Sequence, residues 1–403
     1  NISNEKFWQP IKPVISNLKI RGSWGLVGND ATNAGRFAYM EDLVLGGSDS
    51  YTTGIRQDTY YSGPSWNRYF NPDLTWEVGE KINLGLDLQL FNDFNLTFDI
   101  FREKRRDIFM TRENSIPEIV GTGETKITSN NGEMENKGLD LAIDYNKQIT
   151  KDFFLSFKST LTFARNKVLK MDEPPYFEYP GLSDVGHPLG TYWGYVADGL
   201  FPDQETIDNS PRQDLGYTPQ PGDIKYVNQP NAKGEYDNVI NSNDRVAIGH
   251  PYDPELVYGF GPSMKWKNWD FSFFFQGVAR TSFMMYGMHP FGTTSIKNML
   301  QFVADDHWSV DNPNPNAAYP RLTKDSNGNN DQYSTYWLRN AAFLKLKNAE
   351  IGYTYKGMRF YLSGVNLLTF SPFKHWDPEM GGGNGLYYPT QRVFNIGFQM
   401  TIQ

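Results

Sequence analysis

The chain has 403 residues, a net charge of −8 and no cysteine, so it offers no disulfide, no thiolate nucleophile and no cysteine-based metal site. That acidic balance contains no basic block, which argues against a nucleic-acid partner. No apolar run approaches the roughly 18 residues of a membrane-spanning helix, while 15% aromatics with plentiful Gly (37) and Pro (24) suit turn-rich all-β architecture.

Strict alternation of apolar and polar residues marks ten strands in chain order, about 18–27, 74–91, 94–110, 134–147, 152–169, 255–267, 268–286, 341–355, 357–370 and 391–403. In the second, Leu74, Trp76, Val78, Ile82, Leu84, Leu86, Leu88 and Leu90 share one face, and Glu77, Lys81, Asn83, Asp87 and Gln89 the other. In the tenth, Phe394, Ile396, Phe398, Met400 and Ile402 share one face. The strands exceed the usual 5–6 residues of soluble sheets and meet the roughly 9–11 that a tilted membrane strand needs. Short links (Phe91–Phe94, Lys147–Asp152, Lys267–Trp269, Tyr355–Met358) alternate with long ones (28–73, 111–133, 170–254, 287–340, 371–390). Loops of that length are uncommon in compact soluble domains. Short turns at one end and long loops at the other are the organisation of an antiparallel transmembrane β-barrel, with the long loops extracellular. Mean hydropathy is low, −0.57, which a barrel tolerates because half of each strand is polar.

Several residues test this reading. Phe91, Phe94, Phe153, Phe154, Trp266, Trp269, Tyr353 and Tyr355 cluster at the short turns, where an interfacial girdle belongs. Glu80, Arg102, Lys104 and Arg106 fall on apolar parity near the long-loop ends. They sit at or above the outer interface as a solvated rim, the basic three also able to contact anionic lipid head groups, unless a bulge flips their parity. Asp305–Tyr319 and Lys324–Gln332 read as irregular coil. The N-terminus carries no secretory signal pattern, so either one was removed or the chain begins part-way through a larger protein.

No catalytic constellation emerges. The histidines, 187, 250, 289, 307 and 375, are scattered over loops without metal-site spacing, and no Gly-x-Ser-x-Gly or phosphate loop is present. Asp237–Arg245 is rich in oxygen donors, but with only Asp237 and Asp244 charged it reads as turns before calcium. We expect no cofactor and no metal. Loop aromatics are the candidate contacts for a substrate or partner: Tyr192, Trp193 and Tyr195 as one group, then Trp308, Trp337 and Trp376, with Trp193 first. Packing of loops against each other is the competing reading.

Leu18–Gly25 (Leu-Lys-Ile-Arg-Gly-Ser-Trp-Gly) with Gly28-Asn29 resembles a strand of SusC/RagA-type TonB-dependent transporters. Asn71–Glu77, Asn136–Gly138, Gly199–Phe201, Pro221–Lys225, Asn243–Arg245, Leu344–Asn348, Gly364–Leu368 and Tyr388-Pro389 are similar to further motifs of that family, in family order. The pattern departs in three places: no plug or TonB-contacting segment is present, Asn228…Lys233-Gly234-Glu235 stands where some relatives carry a calcium-like motif, and Gln403 stands where a final aromatic is usual.

The resemblance implies that residues 1–403 are the C-terminal part of a barrel of about 22 strands, the plug and N-terminal strands lying outside this chain. Strands 18–27 and 391–403 then pair with that N-terminal half, because open edges in lipid are costly. It further implies TonB-dependent import of an oligosaccharide or peptide across the outer membrane of a Gram-negative, Bacteroidetes-type bacterium. The implied partners are a SusD-like surface lipoprotein, TonB (through the missing N-terminal part) and outer-membrane lipid. Binding and gated passage, without enzymatic chemistry, is the implied mechanism. Glu77, Lys81, Asp87, Asp99, Asp140 and Asp144 would face the lumen. A passive porin or a surface adhesion barrel is the alternative function, and a secreted carbohydrate-binding protein a third.

Overall fold

Ten long strands form one antiparallel sheet in the computed structural model, which describes residues 1–31, 35–46, 50–112, 114, 116–120, 127–286, 300–323 and 326–401. They are β1 (Ile15–Asn29), β2 (Glu77–Leu90), β3 (Phe94–Thr111), β4 (Thr128–Thr150), β5 (Phe153–Lys170), β6 (Leu256–Trp266), β7 (Trp269–Ala279), β8 (Phe343–Tyr355), β9 (Met358–Phe370) and β10 (Val393–Met400). Each pairs with its neighbours in sequence order. β1 and β10 are the two edges and do not pair with each other.

Three of the four tight turns share one backbone feature. Phe91 and Asn92 (φ 54° and 64°), Lys267 (φ 54°), and Lys356 with Gly357 (φ 48° and 80°) take the left-handed conformation. Two-residue hairpins need it to match the twist of their strands. Glycine supplies it without strain at 357, and the other four turn residues adopt it despite their Cβ.

Register fixes which side chains share a face, since it shifts every side chain together. Gly22, Leu84, Ile100, Leu139, Phe163 and Leu256 lie in one row across β1–β6. The row formed by Ile20, Leu86, Phe98 and Leu141 lies next to it. These residues make a continuous apolar face that the protein leaves uncovered: Leu84 is 50% exposed, Phe398 55% and Ile396 88%, and Phe157 is half-buried. An uncovered apolar face of this size marks a surface meant for an apolar surrounding.

Several boundaries differ from expectation. The second strand starts at Glu77, so Leu74 and Trp76 precede it, and Trp76 lies against Gly28. The expected strand 268–286 stops at Ala279, because Arg280 turns left-handed (φ 55°). Ser282–Met284 then pairs with Leu338–Asn340 outside the sheet. β4 runs further than expected at both ends. A bulge lies between Arg105 and Ile108, with Asp107 at φ 58°, but Glu80, Arg102 and Lys104 precede it and keep apolar parity, and Arg106, inside it, still pairs with Val78. Ile402, Gln403 and His289 lie outside the described residues.

The long connections hold more order than coil. Short strands pair within them, as Tyr192–Gly194 with Val246–Ile248 and Ala197–Leu200 with Ile224–Tyr226. Gln301–Asp305 is helical, and His307 bridges Tyr319, where coil was expected. Tyr195, Ile224, Tyr226, Phe283, Met285, Val303 and Tyr319 belong to a buried apolar cluster drawn almost wholly from these connections. The protein's only large dry core among the described residues is therefore in its loops, while the sheet keeps one face apolar and open.

Candidate functional site

Two surfaces are candidates, the polar face of the sheet and the loop body at its end. The polar face is crossed by ion pairs rather than bare charges. Arg21 on β1 reaches over Gly85 to Asp87 on β2 (3.0 Å) and to Asp99 on β3 (2.8 Å). A Cβ at residue 85 would sit 2.7 Å from the guanidinium carbon, so glycine there opens the path. Glu77 is 8% exposed and accepts a hydrogen bond from Asn29 Nδ2 (3.1 Å), with Arg105 at 3.7 Å. Lys81 lies 3.6 Å from Glu103. Asp140 accepts from Thr162 Oγ1 (2.7 Å), and Asp144 lies 3.9 Å from Lys158. All six residues expected on the lumen side thus share the polar parity of β2–β4. A second cluster joins Arg359 on β9 to Asp270 on β7 and Glu350 on β8.

The loop body is tied by a buried carboxylate. Asp223 has no exposure and receives five donors: Arg321 Nε (2.7 Å) and Nη2 (3.3 Å), Asn327 Nδ2 (3.0 Å), Asn330 Nδ2 (2.8 Å) and the Gln220 N–H (2.8 Å). Around it, Gln213 and Asn329 both donate to the Ile224 carbonyl, and the Tyr226 hydroxyl donates to the Asn329 carbonyl. Burial pushes that Tyr226 hydroxyl far above the ordinary tyrosine range. Burial likewise lifts the Tyr192 hydroxyl to about 12. A charge this deep survives only with its hydrogen bonds complete.

A second tie joins loop to sheet. Lys345 on β8 is fully buried and donates to Asp377 (2.6 Å) and Glu379, while Lys347 lies 2.6 Å from Glu379. Burial raises both carboxyls, but the ammonium groups, with Thr390 for Asp377, pull them net below their ordinary values.

The expected loop aromatics separate into two classes. Tyr195, Trp308 and Trp337 are buried, at 3%, 7% and 8% exposure, where exposed rings were expected. The reason is the loop core itself, which needs large rings to fill it. Trp193 is half-buried, donates from Nε1 to Asp184 (2.6 Å) and packs edge-on to His187. Tyr192 is half-buried beside the core. Trp376 lines an open groove of about 540 Å³ with His375, Tyr387 and Arg392. Trp337 borders a cavity of about 220 Å³ with Met285, Tyr319, Arg321 and Tyr333. In the oxygen-rich stretch, both Asp244 carboxylate oxygens accept backbone N–H groups, from Gln229 (2.7 Å) and Asn241 (2.8 Å), and Asp237 accepts from Val239 (3.0 Å). They shape turns.

Sequence reasoning did not find the Asp223–Arg321 and Lys345–Asp377 ties. Their partners lie far apart in the chain, and only the resemblance motifs around Asp223 and Lys345 pointed near one end of each.

A protein-family model described as "TonB dependent receptor-like, beta-barrel" matches residues 16–367. The chain is 28% identical to TonB-dependent receptor P26 of Formosa agariphila, over 99% of its own length and 41% of that protein. It is also 28% identical to TonB-dependent receptor SusC of Bacteroides thetaiotaomicron, over 99% of its length and 39% of that protein. In fold it matches the RagAB peptide transporter with a TM-score of 0.72 at 21% identity, over 99% of this chain and 42% of that one. The chain thus spans about two fifths of the length of these relatives. The family match over most of the chain, with the ten-strand open sheet and its two chemically distinct faces, leads to one assignment: this chain belongs to the TonB dependent receptor-like β-barrel family.

Proposed function

We propose that this chain forms the C-terminal wall and much of the outer mouth of a TonB-dependent importer in the outer membrane of a Bacteroidetes-type bacterium. The observation that carries it is the sheet that stays open at β1 and β10 while its polar face is crossed by ion pairs. Unpaired edges in lipid cost several kcal/mol per backbone group, so further strands complete the barrel. The relatives supply the rest: one is a TonB-dependent receptor named SusC, and another is described as a peptide transporter. The cargo is an oligosaccharide or a peptide. A SusD-like lipoprotein caps the loop body, and TonB engages a segment outside this chain. The six charged residues of the polar face line the passage, while Trp193 and Trp376 offer ring faces to cargo or lipoprotein. Transport needs binding and gating, and no bond is made or broken.

Deletion of the full-length gene tests this. Growth on the cognate glycan or peptide fails and returns on complementation, and uptake collapses with a proton uncoupler. Uptake that survives the uncoupler identifies a passive pore, and unchanged growth on every glycan and peptide tried removes the importer reading.

A further inference from the structure

The apolar face ends at a row of cations. Directly above Ile100, Leu139 and Phe163, the next outward positions on β3, β4 and β5 are Arg102, Lys137 and Arg165, paired in register. Arg280, just past β7, continues the line and places its guanidinium 5.8 Å over the Phe163 ring. Two glutamates sit among the four. Glu135 is held by Arg102 (2.5 Å) and Lys137 (2.6 Å). Glu255 is held by Arg280 (2.6 Å), with Arg165 Nε at 3.0 Å from its other oxygen and unaligned for a hydrogen bond.

The glutamates are 11% and 4% exposed, whereas the cations are 40–59% exposed. Each group of three therefore buries its negative charge, turns its positive charges outward and keeps one net cation, on a chain whose total charge is −8. Self-neutralising pairs would leave no excess. An arginine with one nitrogen committed also keeps donors free for a second anion.

We propose that this row is a docking site for the phosphate groups of anionic lipid in the outer leaflet, held at head-group height by the apolar rows beneath it. The inference goes beyond transport and rests only on the apolar face meeting lipid. Its occupant follows from charge and height together. The phosphates of a membrane lie in one plane above the acyl chains, and the cations lie in one row above the acyl-facing side chains. Water alone would not call for cations in excess there.

The test uses the full-length protein in mild detergent, with native mass spectrometry counting retained lipid. The probes are diphosphorylated lipid A and the same lipid stripped of its phosphates. Two net cations at roughly fivefold each give a preference of about thirtyfold for the phosphorylated form. The variant R102Q/K137Q/R165Q/R280Q brings that preference to near unity while still showing heat-modifiable migration as a folded barrel. If the variant does not fold, wild-type protein in about 1 M NaCl reads the same term, since screening then acts within about 3 Å. Equal retention of both lipids by the wild type overturns the proposal. So does a preference that survives in the folded variant or in high salt.

Discussion

Replacing Asp223 by alanine should loosen the loop body without disturbing the sheet. The substitution strands Arg321, whose side chain is only 16% exposed, and leaves the amides of Asn327 and Asn330 without their acceptor. Breaking a buried pair costs 3–5 kcal/mol, and the residual access of water to Arg321 puts this one at about 3 kcal/mol. Local opening governs amide exchange, so about 3 kcal/mol becomes an acceleration of roughly a hundredfold. The informative amides are Ile224, which donates to Asn330 Oδ1 (2.9 Å), and Tyr226, which donates to Gln213 Oε1 (2.7 Å). Hydrogen exchange read by mass spectrometry should show both segments speeding up and β4–β5 unchanged. The double variant Asp223→Leu/Arg321→Met removes both charges and should recover most of the loss. Exchange at Ile224 and Tyr226 within about threefold of wild type would refute the assignment of Asp223 as the tie. A double variant no better than the single would refute the charge argument.

Lys345→Met leaves Asp377 and Glu379 without their buried ammonium; removing one partner of a buried pair costs about 3 kcal/mol, and limited proteolysis should cut residues 371–390 first. The same tie sets a pH dependence. Both carboxyls lie below their ordinary values of 3.8 and 4.5, so the unfolded segment binds protons first. The stabilisation is complete above those values and fades as pH falls through the lowered ones; protease resistance of the segment that is flat from neutrality to strong acid would contradict it. Leu86→Arg, in the middle of the apolar face, should cost about 2–4 kcal/mol on refolding into vesicles, followed by heat-modifiable migration, while Thr97→Arg on the polar face of β3 should cost nearly nothing. Equal costs would mean the two faces are misassigned.

What was legible in the sequence follows from how each feature is encoded. Strand positions are written locally. Phe394, Ile396, Phe398 and Met400 declare a face by period two alone, and Lys356-Gly357 declares a hairpin by two residues, so the ten strands and their tight turns could be read directly. Loop order is written non-locally. Asp223 and Arg321 are 98 residues apart, and nothing beside either predicts the other. The rings show the same division. A tryptophan in a long polar connection looks exposed when judged by its neighbours in sequence. Trp308 and Trp337 are buried because other loops come to cover them. Alternation places Arg102 on the apolar face correctly, as one of a basic trio with Lys104 and Arg106. Only the register, which sets Lys137 and Arg165 beside it and puts two buried glutamates between the cations, turns scattered charges into a row of one sign. Periodicity assigns a side chain to a face, but it takes strand pairing to make that face a surface with a composition of its own. The chemistry of this family member, apolar on one face of the sheet and charged on the other, is written at that second level.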